Sequence, residues 1–353
     1  MRPRIAIVGA GVSGLSAAFD LAEMDCETVV FEKSKGFSGR AASRSRNGCR
    51  YDYGANYFKV DSDGVARLIF ESLPTDQLCR IPGDIWTFSE DGQIEPGDPE
   101  QNAAAKWSYQ GGISTLGKLL VEIAELDVRR EHRIVELGRS GDSWSLKNDQ
   151  GEVSEGFDAV LLTAPAPQTR ELLESAGFET SRLAPMSNAL DQAGYVSQFT
   201  VVLNYDTSFS MPGDAYALIN SDRSHSIAWL SHENQKAGRV PDGETLLIVQ
   251  LSPHWTEQHY DSSGAEIISK AEQEVVNLLG LDQTRHQWAD TQRWRYALPT
   301  QAIDSASLRS ASECHLFFAG DSLVGRGRVS RTIETGLNAA RQIRAQLGET
   351  IVR

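Results

Sequence analysis

The glycines of GAGVSG, Gly9, Gly11 and Gly14, stand between a β-rich run, Arg4 to Val8, and Leu15, Ala18, Phe19 and Ala22 at helical spacing. That pattern suits a phosphate. Gly9 makes a tight turn, Gly11 lets the backbone approach a pyrophosphate, and Gly14 lets helix and strand pack closely. The first helical amides, around Val12 and Ser13, and the positive end of the helix dipole then face the anion. A second strand-like run, Thr28 to Phe31, ends at Glu32, 18 residues after Gly14 and placed to accept from a ribose diol, with Lys33 next. A strand–turn–helix–strand unit of about thirty residues is the context that makes such a glycine pattern specific. The expectation is a dinucleotide-binding site.

Charge adds a second clue. The 353 residues carry a net charge of −14, which argues against nucleic acid as the main partner. From Arg285 to Arg353 there are ten arginines, no lysine and six carboxylates, a local +4, so the remaining 284 residues carry −18. A second basic run, Arg40, Arg44, Arg46 and Arg50, contains no acid. These are either solvated faces or a pocket for an anionic ligand, since guanidinium forks suit phosphate oxygens. Four scattered cysteines without a CxxC argue against a disulfide scaffold or a zinc site and point to a reducing, cytoplasmic setting. No metal site is expected, and His254 and His259 read as loop or surface. No apolar run approaches the ~20 residues that cross a bilayer. The apolar N-terminal stretch mimics a secretion signal, but the glycine motif explains it better.

The elements that must position these residues follow from periodicity. A helix is expected over Ile113 to Ala124, and strands over Val128 to Leu137, Ser143 to Asn148 and Ala159 to Thr163. AlaProAlaPro stops the last of these before a helix at Gln168 to Ala176. A buried run, His315 to Ala319, lands on Gly320-Asp321, and a helix covers Thr332 to Leu347. Between them, Phe199 to Tyr205, Ala215 to Asn220, Ser226 to Ser231 and Thr245 to Ser252 read as strands, followed by an amphipathic helix, Ala265 to Leu279, stopped by Gly280. Pro82 to Ala105 reads as linker-like. The fold class is α/β: a Rossmann-like nucleotide-binding domain (1–75, 106–180 and 285–353) with an inserted antiparallel β-sheet plus helix as substrate domain (76–105 and 181–284).

The N-terminal unit, Gly39-Arg40 and the terminal PheAlaGlyAspSer (Phe318 to Ser322) together resemble the flavin amine oxidase superfamily. Within it the chain most resembles the renalase and bacterial renalase-like branch. The matching pieces are AspTyrGlyAlaAsnTyrPhe (Asp52 to Phe58), TyrGlnGlyGlyIleSerThrLeu (Tyr109 to Leu116), AlaProAlaProGln (Ala164 to Gln168) and ArgTrpArgTyrAla (Arg293 to Ala297). The resemblance implies non-covalent FAD and a p-hydroxybenzoate-hydroxylase-like two-domain fold. It also implies oxidation of a small reduced substrate, with molecular oxygen taking the electrons and hydrogen peroxide leaving.

The FAD contacts so implied begin with Gly9, Gly11, Val12, Ser13 and Gly14 at the pyrophosphate, Glu32 and Lys33 at the adenosine ribose, and Gly39 and Arg40 at the phosphates. They continue with Asn56, Tyr57 and Phe58, then Ile134, Thr163, Ala164 and Pro165. Gly320 and Asp321 hold the ribityl or pyrophosphate region, unless Asp321 is a turn or capping aspartate. Arg328 and Val329 approach the flavin ring, with the Val329 and Ser330 amides at a helix start. Asn56, Tyr57, Trp294, Tyr296 and Arg328 are the candidate catalytic residues. The aromatics Tyr57, Phe58, Trp294 and Tyr296 either sandwich a planar substrate or pack the core. Two positions depart from the family: Ser38 stands where GlyGlyArg has its first glycine, and Asn56 where Gln is usual.

Three activities fit. The first is oxidation of misreduced dihydronicotinamide dinucleotides, small anionic substrates whose phosphates would use the arginines. The second is amine oxidation, against which LeuValGlyArgGlyArgValSer is basic where an amine site is aromatic or acidic. The third is a flavin-binding module without turnover.

Overall fold

The computed structural model describes residues 2–281 and 285–351. Residue 1, residues 282–284 and residues 352–353, including the expected boundary at 284 and Arg353 of the basic segment, lie outside the described residues. A five-stranded parallel sheet runs in the order Leu316–Phe318, Ala159–Leu162, Arg4–Val8, Glu27–Phe31, Asp127–Arg129. Its strands are apolar on both faces because both are covered. Ile5 and Ile7 face the helices Val12–Leu21, Thr115–Ile123 and Val329–Ile351. Ala6 and Val8 face a second cluster, built by a three-stranded antiparallel sheet over 134–157 and the helices Ala166–Ser175 and Thr180–Gln192.

A seven-stranded sheet forms the second layer. Its order is Trp288–Pro299, Tyr195–Tyr205, Thr245–Leu251, Ile227–His232, Ala217–Asn220, Ile85–Phe88, Ile94–Glu95. The helix Gly264–Leu279 lays Ile267, Ala271, Val275 and Leu278 on this sheet. It opens on a Ser263–Glu266 capping box and ends at Gly280, φ 63°.

Four expectations need correction. Val128 to Leu137 is not one strand: Asp127–Arg129 edges the parallel sheet and Ile134–Ser140 starts the three-stranded one, with Glu131 at φ 57° in the turn between. Pro82 to Ala105 is no linker, since Ile85–Phe88 and Ile94–Glu95 extend the seven-stranded sheet. That sheet is not wholly antiparallel, because Ala217–Asn220 runs parallel to Ile85–Phe88. The boundaries at 180 and 285 also shift. Thr180–Gln192 packs its Met186, Ala189 and Leu190 into the nucleotide-binding half, while Trp288–Pro299 pairs with Tyr195–Tyr205 in the other layer. Periodicity reports which face is apolar, and sheet membership depends on partners distant in sequence. No helix among the described residues is long and apolar enough to cross a membrane.

Candidate functional site

Steric fit explains the glycine loop. Gly9 has φ +113°, and a Cβ there would lie 2.5 Å from the Thr163 Oγ1. A Cβ on Gly14 would lie 2.0 Å from the Gly9 carbonyl oxygen, whereas one on Gly11 would meet nothing within 4 Å. So Gly9 and Gly14 serve internal packing, and Gly11 opens onto space where the helix begins. Val12 and Ser13, the first helical residues, are buried. Thr163 holds the loop by donating to the carbonyls of Val8 (2.9 Å) and Gly9 (3.1 Å). Glu32 braces it from below, accepting from the amides of Ala10 (2.9 Å) and Ser34 (2.8 Å). Its carboxylate is therefore first a loop brace. Lys33 reaches Gln168, Ile134 packs with Val8 and Phe31, the Ala164 carbonyl accepts from Thr169, and Pro165 starts the next helix.

Beside the loop, Ser38 is buried at φ 73°, a left-handed conformation that costs a non-glycine residue about 1 kcal/mol or more. Its hydroxyl offsets that cost by donating to the Ser114 carbonyl and accepting from the Gly117 amide, both at 3.1 Å. The backbone here bridges to Gly11, and a Cβ on Gly39 would lie 3.2 Å from the Gly11 Cα. Arg40 pairs with the buried Asp321 at 2.7 Å and also donates to the carbonyls of Tyr296 (3.1 Å) and Ala297 (3.2 Å). The Tyr195 hydroxyl donates to the same aspartate at 2.9 Å, and burial, with Asp321 adding to it, raises that tyrosine's pKa. Asp321 is thus the centre of an ion-paired cluster. It follows Gly320, φ 132°, whose amide donates to Thr335, and Val329 opens the C-terminal helix. Next to this cluster a cavity of ≈ 410 Å³ is lined by Tyr195, Ser197, Tyr260, Arg295 and Tyr296.

The basic run 40–50 is not an open anion face. Arg44 pairs with Asp290 at 2.9 Å, and Arg46 and Arg50 donate to the carbonyls of Ala289 and Gly111, each at 2.7 Å. These arginines tie the hairpin of Ser43–Arg46 and Cys49–Asp52 to its surroundings. In the C-terminal segment, Arg331 pairs with Asp61 and Arg344 with Asp20.

The four predicted aromatics do not form one sandwich. Phe58 is core, against Tyr109. Trp294 stacks on Tyr53 (5.4 Å between centroids) and donates to the Tyr53 carbonyl and the Thr200 hydroxyl. Tyr296 meets Tyr195 edge-on. Only Tyr57 stands in a different group: it stacks on Trp229 (6.0 Å) and meets Tyr216 edge-on (6.2 Å). Burial raises the pKa of the Tyr57 hydroxyl, and the positive charge of the exposed Arg328 opposes that shift. Asn56 has both ends of its amide engaged, donating to the Gly54 carbonyl (3.1 Å) and accepting from the Ser231 hydroxyl (2.9 Å). The Trp229 Nε1 is buried without a partner.

Trp229, Tyr216 and Ser231 were missed in the sequence, where the alternation of Trp229 and Ser231 in IleAlaTrpLeuSerHis was their only signal. Also missed was a buried quartet below the site: Asp52 and Glu233 with Lys236 and Arg239. Lys236 lies 2.9 Å from Asp52 and 3.0 Å from Glu233, and Arg239 pairs with both carboxylates. Despite burial, the two cations hold the Asp52 carboxyl well below the usual range. All four cysteines are free.

The NAD(P)-binding Rossmann-like domain family matches residues 7–73, and the flavin containing amine oxidoreductase family matches residues 101–344. Renalase of Mus musculus is 23% identical over 305 residues, covering 82% of this chain and 85% of that protein. A 4-hydroxybenzoate brominase (decarboxylating) of Marinomonas mediterranea is 26% identical over 179 residues. There the match covers 49% of this chain and only 28% of the brominase. The fold matches the crystal structure of a protein described as a protoporphyrinogen oxidase from Exiguobacterium, with a TM-score of 0.79 at 17% identity over 99% of both chains. The chain belongs to the flavin containing amine oxidoreductases: it is a flavin oxidoreductase, and FAD bound without a covalent link is its cofactor.

Proposed function

We propose that this chain is a renalase-like oxidase that returns misreduced dihydronicotinamide dinucleotide isomers to NAD(P), with molecular oxygen as final acceptor and hydrogen peroxide as product. The observation that carries this is the wall of Tyr57, Trp229 and Tyr216, with the positive charge of Arg328 acting on Tyr57. Such a wall takes a flat ring on its face, and the guanidinium beside it takes the negative charge that ring carries behind it. The bound flavin supplies the hydride acceptor. The protein's part is orientation and exclusion of water.

The open face of Gly11 at the start of the Val12–Leu21 helix fits a pyrophosphate, and the tight packing at Gly9 and Gly14 holds the loop around it. Glu32 and Lys33 fit the adenosine end, and Gly39, Arg40, Gly320 and Asp321 the middle of the cofactor. Asn56, Arg328 and Val329 fit its ring end, with Asn56 held by Ser231. Thr163, Ala164, Pro165 and Ile134 act through the loop they support.

The amine oxidase reading draws on the family's description. Against it, Arg328 and Lys59 stand beside Tyr57 and would repel a substrate ammonium. Anaerobic flavin bleaching decides. Misreduced NAD(P)H isomers should bleach the bound flavin quickly, and spermine and benzylamine should not. Rapid reduction by an amine would favour amine oxidation, and no reduction by any of these would leave a binding module.

A further inference from the structure

We propose that Lys59 and Lys106 form a subsite for a phosphoanhydride beside the Tyr57–Trp229 wall. Phe58 and Trp107 exchange both backbone hydrogen bonds, at 2.9 and 2.8 Å, as an antiparallel bridge. The next residues on the two segments, Lys59 and Lys106, are therefore directly opposite each other. Like charges in that arrangement destabilise a sheet pair. Tyr57 and Lys59, two apart on an extended segment, point to the same side.

Among the described residues, Lys59 has no carboxylate partner, and Lys106 has only a long, exposed one. The Lys106 side chain is 3% exposed, and its nearest carboxylate, Asp84, is 3.9 Å away and itself 59% exposed. That distance is too long for a hydrogen bond. Lys59 donates to the Gln101 carbonyl at 2.7 Å and has no carboxylate within ion-pair distance among the described residues. Lys236 shows the contrast, since that buried lysine sits between two carboxylates. Burial lowers the pKa of Lys106, with Lys59 and Arg80 pushing the same way against Asp84. At Lys59, burial and Arg328 do likewise. An anion placed among these groups relieves all of those repulsions at once. In a chain of net charge −14, a cluster of cations left without close acids is what a polyanionic ligand requires.

This deepens the function proposed above and rests on it only for which molecule carries the phosphates. The test uses FAD-loaded protein, so the cofactor's own phosphate site is filled, and titrates inorganic pyrophosphate and ADP by calorimetry. Wild type should bind both, and each should raise the melting temperature. Lys59→Gln, at a half-exposed position, should weaken both by about tenfold, as should Lys106→Met. Lys106→Met should also melt higher than wild type without an anion, because a buried charge with only a long, exposed ion pair is gone. Absence of binding to wild type, or equal binding by wild type and both variants, overturns the subsite even if misreduced isomers bleach the flavin. Binding that both variants weaken, without bleaching by those isomers, upholds the subsite and overturns the function.

Discussion

At the scale of single residues, Glu32 and His232 carry opposite lessons about charge. Glu32 takes the Ala10 amide of the glycine loop and the nearby Ser34 amide, so Glu32→Ala removes charge-assisted bonds worth about 1.5–3 kcal/mol each. FAD should bind ten- to a hundred-fold more weakly, by about that energy, in a fluorescence titration of apoprotein. Unchanged affinity would mean that the Glu32 brace is not needed for cofactor binding. His232 is buried with both ring nitrogens unpartnered, and burial pushes its pKa down to about 4. The folded protein therefore keeps the ring neutral, while the unfolded chain takes a proton below about pH 6.5. Its stability term is full above that pH and shrinks as the pH falls toward 4, by about 3 kcal/mol in all. Urea midpoints of wild type should thus fall more steeply from pH 7.5 to 4.5 than those of His232→Leu, and parallel slopes would refute the assignment.

Among the elements, the strand Cys49–Asp52 and the turn Glu233–Gln235 are joined by the buried quartet. Asp52 also accepts from the Ile113 amide (2.8 Å) and from Ser43 and Ser108, so one carboxylate links four segments. Removing one partner leaves an uncompensated buried charge, at a cost of about 3–5 kcal/mol. Arg239→Met should lose that much in urea unfolding. The double change Arg239→Met with Glu233→Gln should recover part of it, since one charge of each sign then remains. A single variant as stable as wild type would show that the quartet is not what joins these elements. AspTyrGlyAlaAsnTyrPhe was visible as a motif from the start, but the partners of Asp52 lie some 180 residues away, at Lys236 and Arg239. No spacing rule reaches that far.

Across the whole molecule, the proposed function sets local charge against the overall balance. On that proposal, Arg328, Lys59 and Lys106 offer an anionic substrate a basic site in a chain of net charge −14. Arg328→Ala should raise the apparent substrate constant, with the loss of a charged hydrogen bond worth about 1.5–3 kcal/mol, and should affect flavin retention less. Rising salt should weaken wild type more than the variant, because screening acts on the charge that was removed. Stopped-flow reduction at two ionic strengths measures both. Equal salt dependence in the two proteins would show that Arg328 serves only to hold Tyr57.

By itself the sequence determined the glycine loop, the parallel unit around it and the apolar faces of the helices. Each of these depends on residues within a turn or two of one another, or on a backbone conformation that only certain residues adopt, as at Gly9 and Gly14. Only the tertiary structure decided which aromatics meet. Trp294 and Tyr296 were the sequence's candidates and Trp229 was not, but the pairing of Trp288–Pro299 with Tyr195–Tyr205 brings the two candidates to Tyr53 and Tyr195. It likewise decided that Arg40 and Arg44 meet carboxylates at 2.7 and 2.9 Å while, among the described residues, Lys59 and Lys106 meet none so near. Composition counts charges, but whether a charge is satisfied depends on what the folded chain brings within about 4 Å of it.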